Sequence, residues 1–157
     1  MTVADLPALI DLQETGAVAG LSHIFPQDEN PFPRDEVGER WRGEIGDAAI
    51  DTFVSTDDAG ALTGFSATRG NELLHFGTAL DTWGSGLAQQ LHDATVAELR
   101  KSSPDPTLEL HVFEQNRRAR RFYEKLGWVA TGATKRTSFP PHPVLLQYRL
   151  PLPAADV

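Results

Sequence analysis

Asp81-Thr82-Trp83-Gly84-Ser85-Gly86-Leu87-Ala88-Gln89-Gln90-Leu91 reads as the end of an extended run, a glycine loop and the first turns of a helix. The apolar stretch Leu73-Leu74-His75-Phe76 lies before it, and an amphipathic pattern continues after it to Arg100. Gly84 and Gly86 carry no Cβ, so the backbone there is free to take positive φ and to approach a ligand closely. The amides of Ser85 to Ala88 then open a helix at its partly positive end, a place suited to a phosphate or pyrophosphate. Such glycines also serve in ordinary strand-to-helix turns, so the loop needs a second signal.

That signal is Asn116-Arg117-Arg118-Ala119-Arg120-Arg121-Phe122-Tyr123-Glu124-Lys125-Leu126-Gly127-Trp128. Asn116 suits an N-cap and Gly127 a C′ position, and Ala119, Phe122, Tyr123 and Leu126 recur at i, i+3, i+4 and i+7. The spacing predicts one short helix with one apolar face. Its first half carries Arg117, Arg118, Arg120 and Arg121, at the end where the helix dipole disfavours cations. An anionic ligand nearby would offset that cost.

Gly84-Ser85-Gly86-Leu87-Ala88, followed after a strand by Asn116-x-x-Ala119-x-x-Phe122-Tyr123-Glu124-Lys125-Leu126-Gly127, resembles the acetyl-CoA binding core of the GNAT superfamily of N-acetyltransferases. The second motif is the more specific, and the resemblance covers about residues 60 to 132. It implies an α/β (α+β) GNAT-like three-layer fold. Its sheet is twisted, mixed and mostly antiparallel, of about six to seven strands flanked by about four helices, with a central parallel pair splayed to admit the pantetheine arm. It further implies that the main chain of Phe76, Gly77 and Thr78 lines up with pantetheine. Trp83, Gly84, Ser85, Gly86, Leu87 and Ala88 would take the pyrophosphate, Asn116 the pantetheine arm, and Arg120 or Arg121 the adenosine phosphate.

Two side chains are the candidates for chemistry. Tyr123 matches the family tyrosine that serves as general acid beside the thioester sulfur, and Glu72 lands where histone acetyltransferases of the superfamily carry a base glutamate. Strand alternation places Glu72 on one side with Leu74, Phe76 and Thr78. His75 is an alternative base, since imidazole is poised for proton transfer near neutrality, and water is a third. Departures from the family pattern are Asp81 in place of Gln or Arg, Ser85 in place of a basic residue and Thr78 in place of valine. The first two remove positive charge beside the diphosphate.

The whole chain of 157 residues fits one domain, 1–157, with a sizeable core. The absence of cysteine excludes a disulfide framework and a cysteine-linked acyl-enzyme, and His23, His92, His111 and His142 show no metal spacing, so no metal is expected. A net charge of -8 argues against nucleic acid as a partner and favours cationic small molecules. No apolar run nears the roughly 20 residues that span a bilayer, and MTVADLPALIDL lacks a basic n-region; a cytoplasmic protein with no membrane partner is expected, and dimers are frequent in the superfamily.

Along the chain, a helix is expected from Asp5 to Gly16 or Gly20, an irregular proline-rich stretch over 25 to 36, and a helix over Arg34 to Ile45. Strands are expected at Ala49 to Ser55, Ala61 to Thr68, Glu72 to Thr78, Thr107 to Phe113, Trp128 to Thr137 and Val144 to Leu150. The helix after the glycine loop should bury Leu87, Ala88, Leu91, Ala94, Thr95 and Leu99. By resemblance, residues 22 to 36 and 137 to 143 border an acceptor cleft. Asp28, Glu29, Asp35 and Glu36 beside Phe25 and Phe32 suit an ammonium group through charge and cation-π attraction.

The activity these readings imply is that of an acyltransferase moving acetyl from acetyl-CoA to a primary amine by direct transfer, with a small cationic amine favoured. Acetylation of a protein N-terminus or lysine is one alternative. A catalytically silent acyl-CoA binding module is another.

Overall fold

In the computed structural model, which describes residues 1–151, six strands form one sheet in the order β1-β2-β3-β4-β6-β5. The strands are β1 (Ile50–Thr56), β2 (Leu62–Arg69), β3 (Glu72–Thr78), β4 (Leu108–Phe113), β5 (Val129–Arg136) and β6 (Val144–Leu150). Four α-helices accompany them: α1 (Leu6–Leu21), α2 (Arg34–Ile45), α3 (Leu87–Ser102) and α4 (Arg117–Lys125). All neighbouring pairs are antiparallel except β3 and β4.

Two apolar cores lie on opposite faces of this sheet. Leu6, Leu9, Val37 and Trp41 from α1 and α2 pack with Phe65 and Ala67 on one face. Leu99 from α3 and Tyr123 from α4 pack with Leu73, Leu108, Leu110 and Val112 on the other. The three-layer arrangement follows from the alternation in β4, where Leu108, Leu110 and Val112 are buried and the residues between them less so.

The parallel pair is brief. Glu72 pairs with Glu109 and Leu73 with Leu110, and beyond those positions β3 and β4 part. The parting coincides with a bulge in β3, where the β2 register runs from Ala67 opposite His75 to Thr68 opposite Leu73 and leaves Leu74 without a partner. An extra residue resets which face each later side chain takes. Leu74 and His75 therefore both lie toward α1 and α2, and Phe76 lies toward α3 and α4, stacked on Phe122 at 5.8 Å. The simple alternation that set Phe76 on the side of Glu72 fails for this reason.

Local departures from the sequence reading have identifiable causes. Helix α1 runs through Gly16 and Gly20 to Leu21, because both glycines face the ring of Trp83 and do not end the helix. A 3-10 turn at Leu80–Thr82 precedes the glycine loop. On α3 the buried residues are His92, Thr95 and Leu99, while Ala94 is exposed. His92 belongs inside because its Nε2 accepts the indole N–H of Trp128 at 2.9 Å, and Thr95 because its hydroxyl meets that of Ser66 at 2.9 Å. A buried polar atom is tolerated when it is paired.

β5 is exposed along its whole length and pairs only with β6. Its ladder is broken between Ala130 and Thr134, where Gly132 takes a φ of 89°.

Trp128→Phe removes buried volume between α3 and α4 and leaves the His92 nitrogen without a donor. We expect a loss of about 2–3 kcal/mol from the cavity and the orphaned acceptor together. Urea unfolding monitored by circular dichroism measures it.

Candidate active site

Where β3 and β4 part, the sheet has a gap, a cleft between the two strands, whose two faces carry different chemistry. Helix α4 supplies the first wall. The Asn116 side chain accepts the Ala119 amide at 3.2 Å, and the chain turns out of the helix through Gly127 at φ 96°. The cap fixes the start of the helix, so its apolar face, with Tyr123 on it, meets β3 and β4. Tyr123 is 8% exposed and packs edge-on against Phe76, Phe122 and Trp128, with centroids 5.3 to 6.4 Å away.

Its hydroxyl makes no hydrogen bond among the described residues. The Tyr123 oxygen is not among the fully enclosed side-chain atoms left without a partner, so it keeps a little exposed surface. Burial pushes its pKa well above the ordinary tyrosine value, because a phenolate would lose its hydration. The group is a proton donor throughout the physiological range.

The opposite wall is built on α2 and the start of β3. Glu72 Oε1 lies 3.4 Å from His111 Nδ1, and Glu72 Oε2 lies 3.3 Å from Arg69 Nη2. His75 Nε2 sits 2.8 and 3.0 Å from the two Glu44 carboxylate oxygens, with the imidazole tilted against Trp41 at 4.9 Å. Arg40 Nε is 3.9 Å beyond Glu44. Glu72 and His75 thus share one face of the sheet, and Tyr123 occupies the other, with the gap between the strands separating them. Sequence reasoning missed Glu44 and His111, which come from other elements and carry no motif. Strand alternation in β4, set against the buried Leu108, Leu110 and Val112, was the one available pointer to His111.

The glycine loop follows β3 by way of the 3-10 turn. Gly84 and Gly86 take φ values of 84° and 90°, and a Cβ at either would meet nothing within 4 Å. Two of the amides expected to be free are used locally: Ser85 N–H donates to Thr82 O at 3.1 Å, and Leu87 N–H to Ser85 Oγ at 3.3 Å. Gly86, Ala88 and Gln89 keep unbonded N–H groups among the described residues, since Gln90 makes the first helical bond, back to Gly86. The α3 N-terminus therefore presents three donors to an anion.

Of the arginines, Arg120 is committed, its Nε donating to the Tyr148 hydroxyl and Nη1 to Glu114 O. Arg121 is exposed and forms no ion pair among the described residues. Phe25 stacks edge-on against Phe113 at 5.4 Å and Phe32 packs into the α1–α2 core, while Asp28 and Glu29 are exposed. Asp35 and Glu36 lie in the first turn of α2, where they complement its dipole.

This geometry suits a long ligand with an anionic group at the glycine loop and an amide-bearing arm along β3. Comparison with known proteins gives the family. Residues 20–139 match the family model described as acetyltransferase (GNAT) domain, and the chain belongs to that family of acetyltransferases. No curated protein sequence matches.

Among solved structures, spermidine N-acetyltransferase from Vibrio cholerae in complex with CoA and spermine is 20% identical with a TM-score of 0.69, covering 96% of this chain and 91% of that one. The ribosomal-protein-S18-alanine N-acetyltransferase from Escherichia coli is 21% identical with a TM-score of 0.69, covering 99% and 93%. These likenesses bear on the fold, including the parallel pair at the centre of the sheet. Among the described residues no helix is long and apolar enough to cross a membrane.

His75 gives the site a measurable pH signature. Burial lowers its pKa from 6.5, the Glu44 hydrogen bond opposes that fall, Arg40 adds to it, and Glu72 counters it weakly. The unfolded chain therefore binds a proton before the folded one does as pH falls. The stability that neutral His75 contributes is complete above 6.5 and lost as pH drops through it toward the folded value. Urea midpoints across this range should fall more steeply for the native chain than for His75→Gln.

Proposed function

We propose that the protein is an acetyl-CoA dependent N-acetyltransferase that delivers an acetyl group directly to a primary amine, with a small cationic amine as acceptor. What supports this reading is the two-residue pairing of β3 and β4, which leaves a gap between the strands, with Tyr123 packed on its α4 side and its hydroxyl unbonded. The residues present fit the cofactor. The free amides of Gly86, Ala88 and Gln89 would bind the diphosphate, the main chain of Phe76 to Thr78 and Asn116 the pantetheine arm, and Arg121 the adenosine phosphate. When bound, acetyl-CoA supplies the acetyl group as a thioester.

The chain's own groups then have distinct tasks. Tyr123 gives its proton to the departing sulfur as the carbon–sulfur bond breaks, and Glu72, directly or through water, takes one from the amine as the carbon–nitrogen bond forms. Since the chain has no cysteine, no thiol of its own can carry the acetyl group between them. A cationic acceptor is supported by the exposed Asp28 and Glu29 and the net charge of -8. The spermine held by the Vibrio cholerae enzyme points the same way.

Steady-state assays across polyamines, aminoglycosides, aromatic amines and N-terminal peptides test the acceptor class. Polyamines or aminoglycosides should be turned over fastest, and a preference for neutral aromatic amines or peptides rejects the cationic acceptor. Tyr123→Phe should lower kcat by roughly 100-fold or more, the usual worth of a positioned proton donor, and undiminished turnover removes it from the chemistry. Glu72→Gln should abolish the acidic limb of the pH–rate profile. An unmoved limb assigns the base to another group.

A further inference from the structure

An indole lies across the mouth of the cleft. The amide of Ala79 donates to Thr63 O on β2 at 2.8 Å. In a trans peptide the preceding carbonyl points the opposite way, so Thr78 O faces the gap between β3 and β4, where no strand meets it. The indole Nε1 of Trp83 occupies that carbonyl at 3.1 Å.

Two further elements hold the ring. Arg118, in the first turn of α4 and therefore on the other lip of the cleft, places its guanidinium 3.6 Å from the ring centroid. Arg118 makes no ion pair among the described residues, and loss of hydration lowers its pKa. On the α1 side, Gly16 and Gly20 form the seat: a Cβ at Gly16 would lie 3.8 Å from Trp83 Cζ2, and one at Gly20 would lie 3.3 Å from Cη2. A glycine costs a helix about 1 kcal/mol relative to alanine; room for the ring accounts for Gly20, while at Gly16 a Cβ would make only ordinary contact.

We propose that Trp83 is a gate on the cofactor groove, closed in the free protein by its bond to Thr78 O and the Arg118 stack, and displaced when an amide-bearing ligand is laid along β3. This rests on the reading of the groove as an acyl-CoA site. A pantetheine-type arm needs main-chain acceptors along β3, and Thr78 O is the one nearest the glycine loop. The indole satisfies that carbonyl, which no strand meets. Gly84 follows Trp83 directly at a φ of 84°, and a Cβ there would meet nothing within 4 Å, so the backbone next to the ring is uncrowded.

Stopped-flow mixing with CoA, followed by tryptophan emission, tests the gate. Trp41 and Trp128 are 0% and 1% exposed, so the emission change should come from Trp83 and vanish in Trp83→Phe. Trp83→Phe keeps a ring and loses the N–H donor; CoA should bind it faster and more tightly, on the order of fivefold for one hydrogen bond removed. Gly20→Ala strengthens α1 while crowding the ring, and should move both quantities the same way by a smaller factor. Weaker or unchanged CoA binding by Trp83→Phe overturns the gate. Calorimetry showing no CoA binding by the native chain overturns the acyl-CoA reading itself, a result distinct from bound CoA with an unmoved indole.

Discussion

The early end of hydrogen bonding between β3 and β4 is the constraint from which the rest of the architecture follows. Two parallel neighbours that stayed paired would seal the sheet and leave no space between its faces. Here pairing stops at Leu73 and Leu110, and the unpaired Leu74 of the bulge lies immediately beyond. A bulge re-aims the side chains after it, and this one sends His75 and Phe76 to opposite faces. The packed layers on either side can then hold a rigid opening, because each rests on its own apolar core.

Such an opening lets one cleft draw on two environments. Toward α4 it meets aromatic rings and a hydroxyl whose burial holds its proton. Toward α2 it meets carboxylates and imidazoles: Glu44 with His75, and Glu72 with His111. Acid and base functions on the same apolar surface would pair with each other. The gap between β3 and β4 keeps the two sets of groups apart. The tie from Tyr148 to both Arg120 and Glu124 anchors α4 to β6, so the α4 wall is fixed independently of what enters.

Much of this was legible in the sequence wherever the signal was local. The cap at Asn116, the stop at Gly127 and the spacing of Ala119, Phe122 and Tyr123 determine α4 within a dozen residues, and the bounds of β3, β6 and α2 were read correctly. What stayed hidden depends on partners distant in the chain. The bulge exists only in the register between β2 and β3. His92 looks like a polar intrusion on α3 until Trp128 arrives to donate to it, and Gly20 reads as a helix end because its reason is a ring more than sixty residues away. The grouping of Glu44, His75, Glu72 and His111 draws on three elements, and no spacing along the chain announces it.

The broken ladder of β5 bears on how copies of this chain behave when crowded. An outermost strand exposed along its length offers a row of unused donors and acceptors to any similar strand that drifts near. The irregularity at Gly132 divides that row into two short runs, and Lys135 and Arg136 give the longer one a positive charge that repels its like. Straightening the strand by trimming residues 131–133 to match the single Gln147 opposite would restore an unbroken rim. The expected penalty is colloidal: stacking of sheets rim to rim, with the interior of each molecule unchanged.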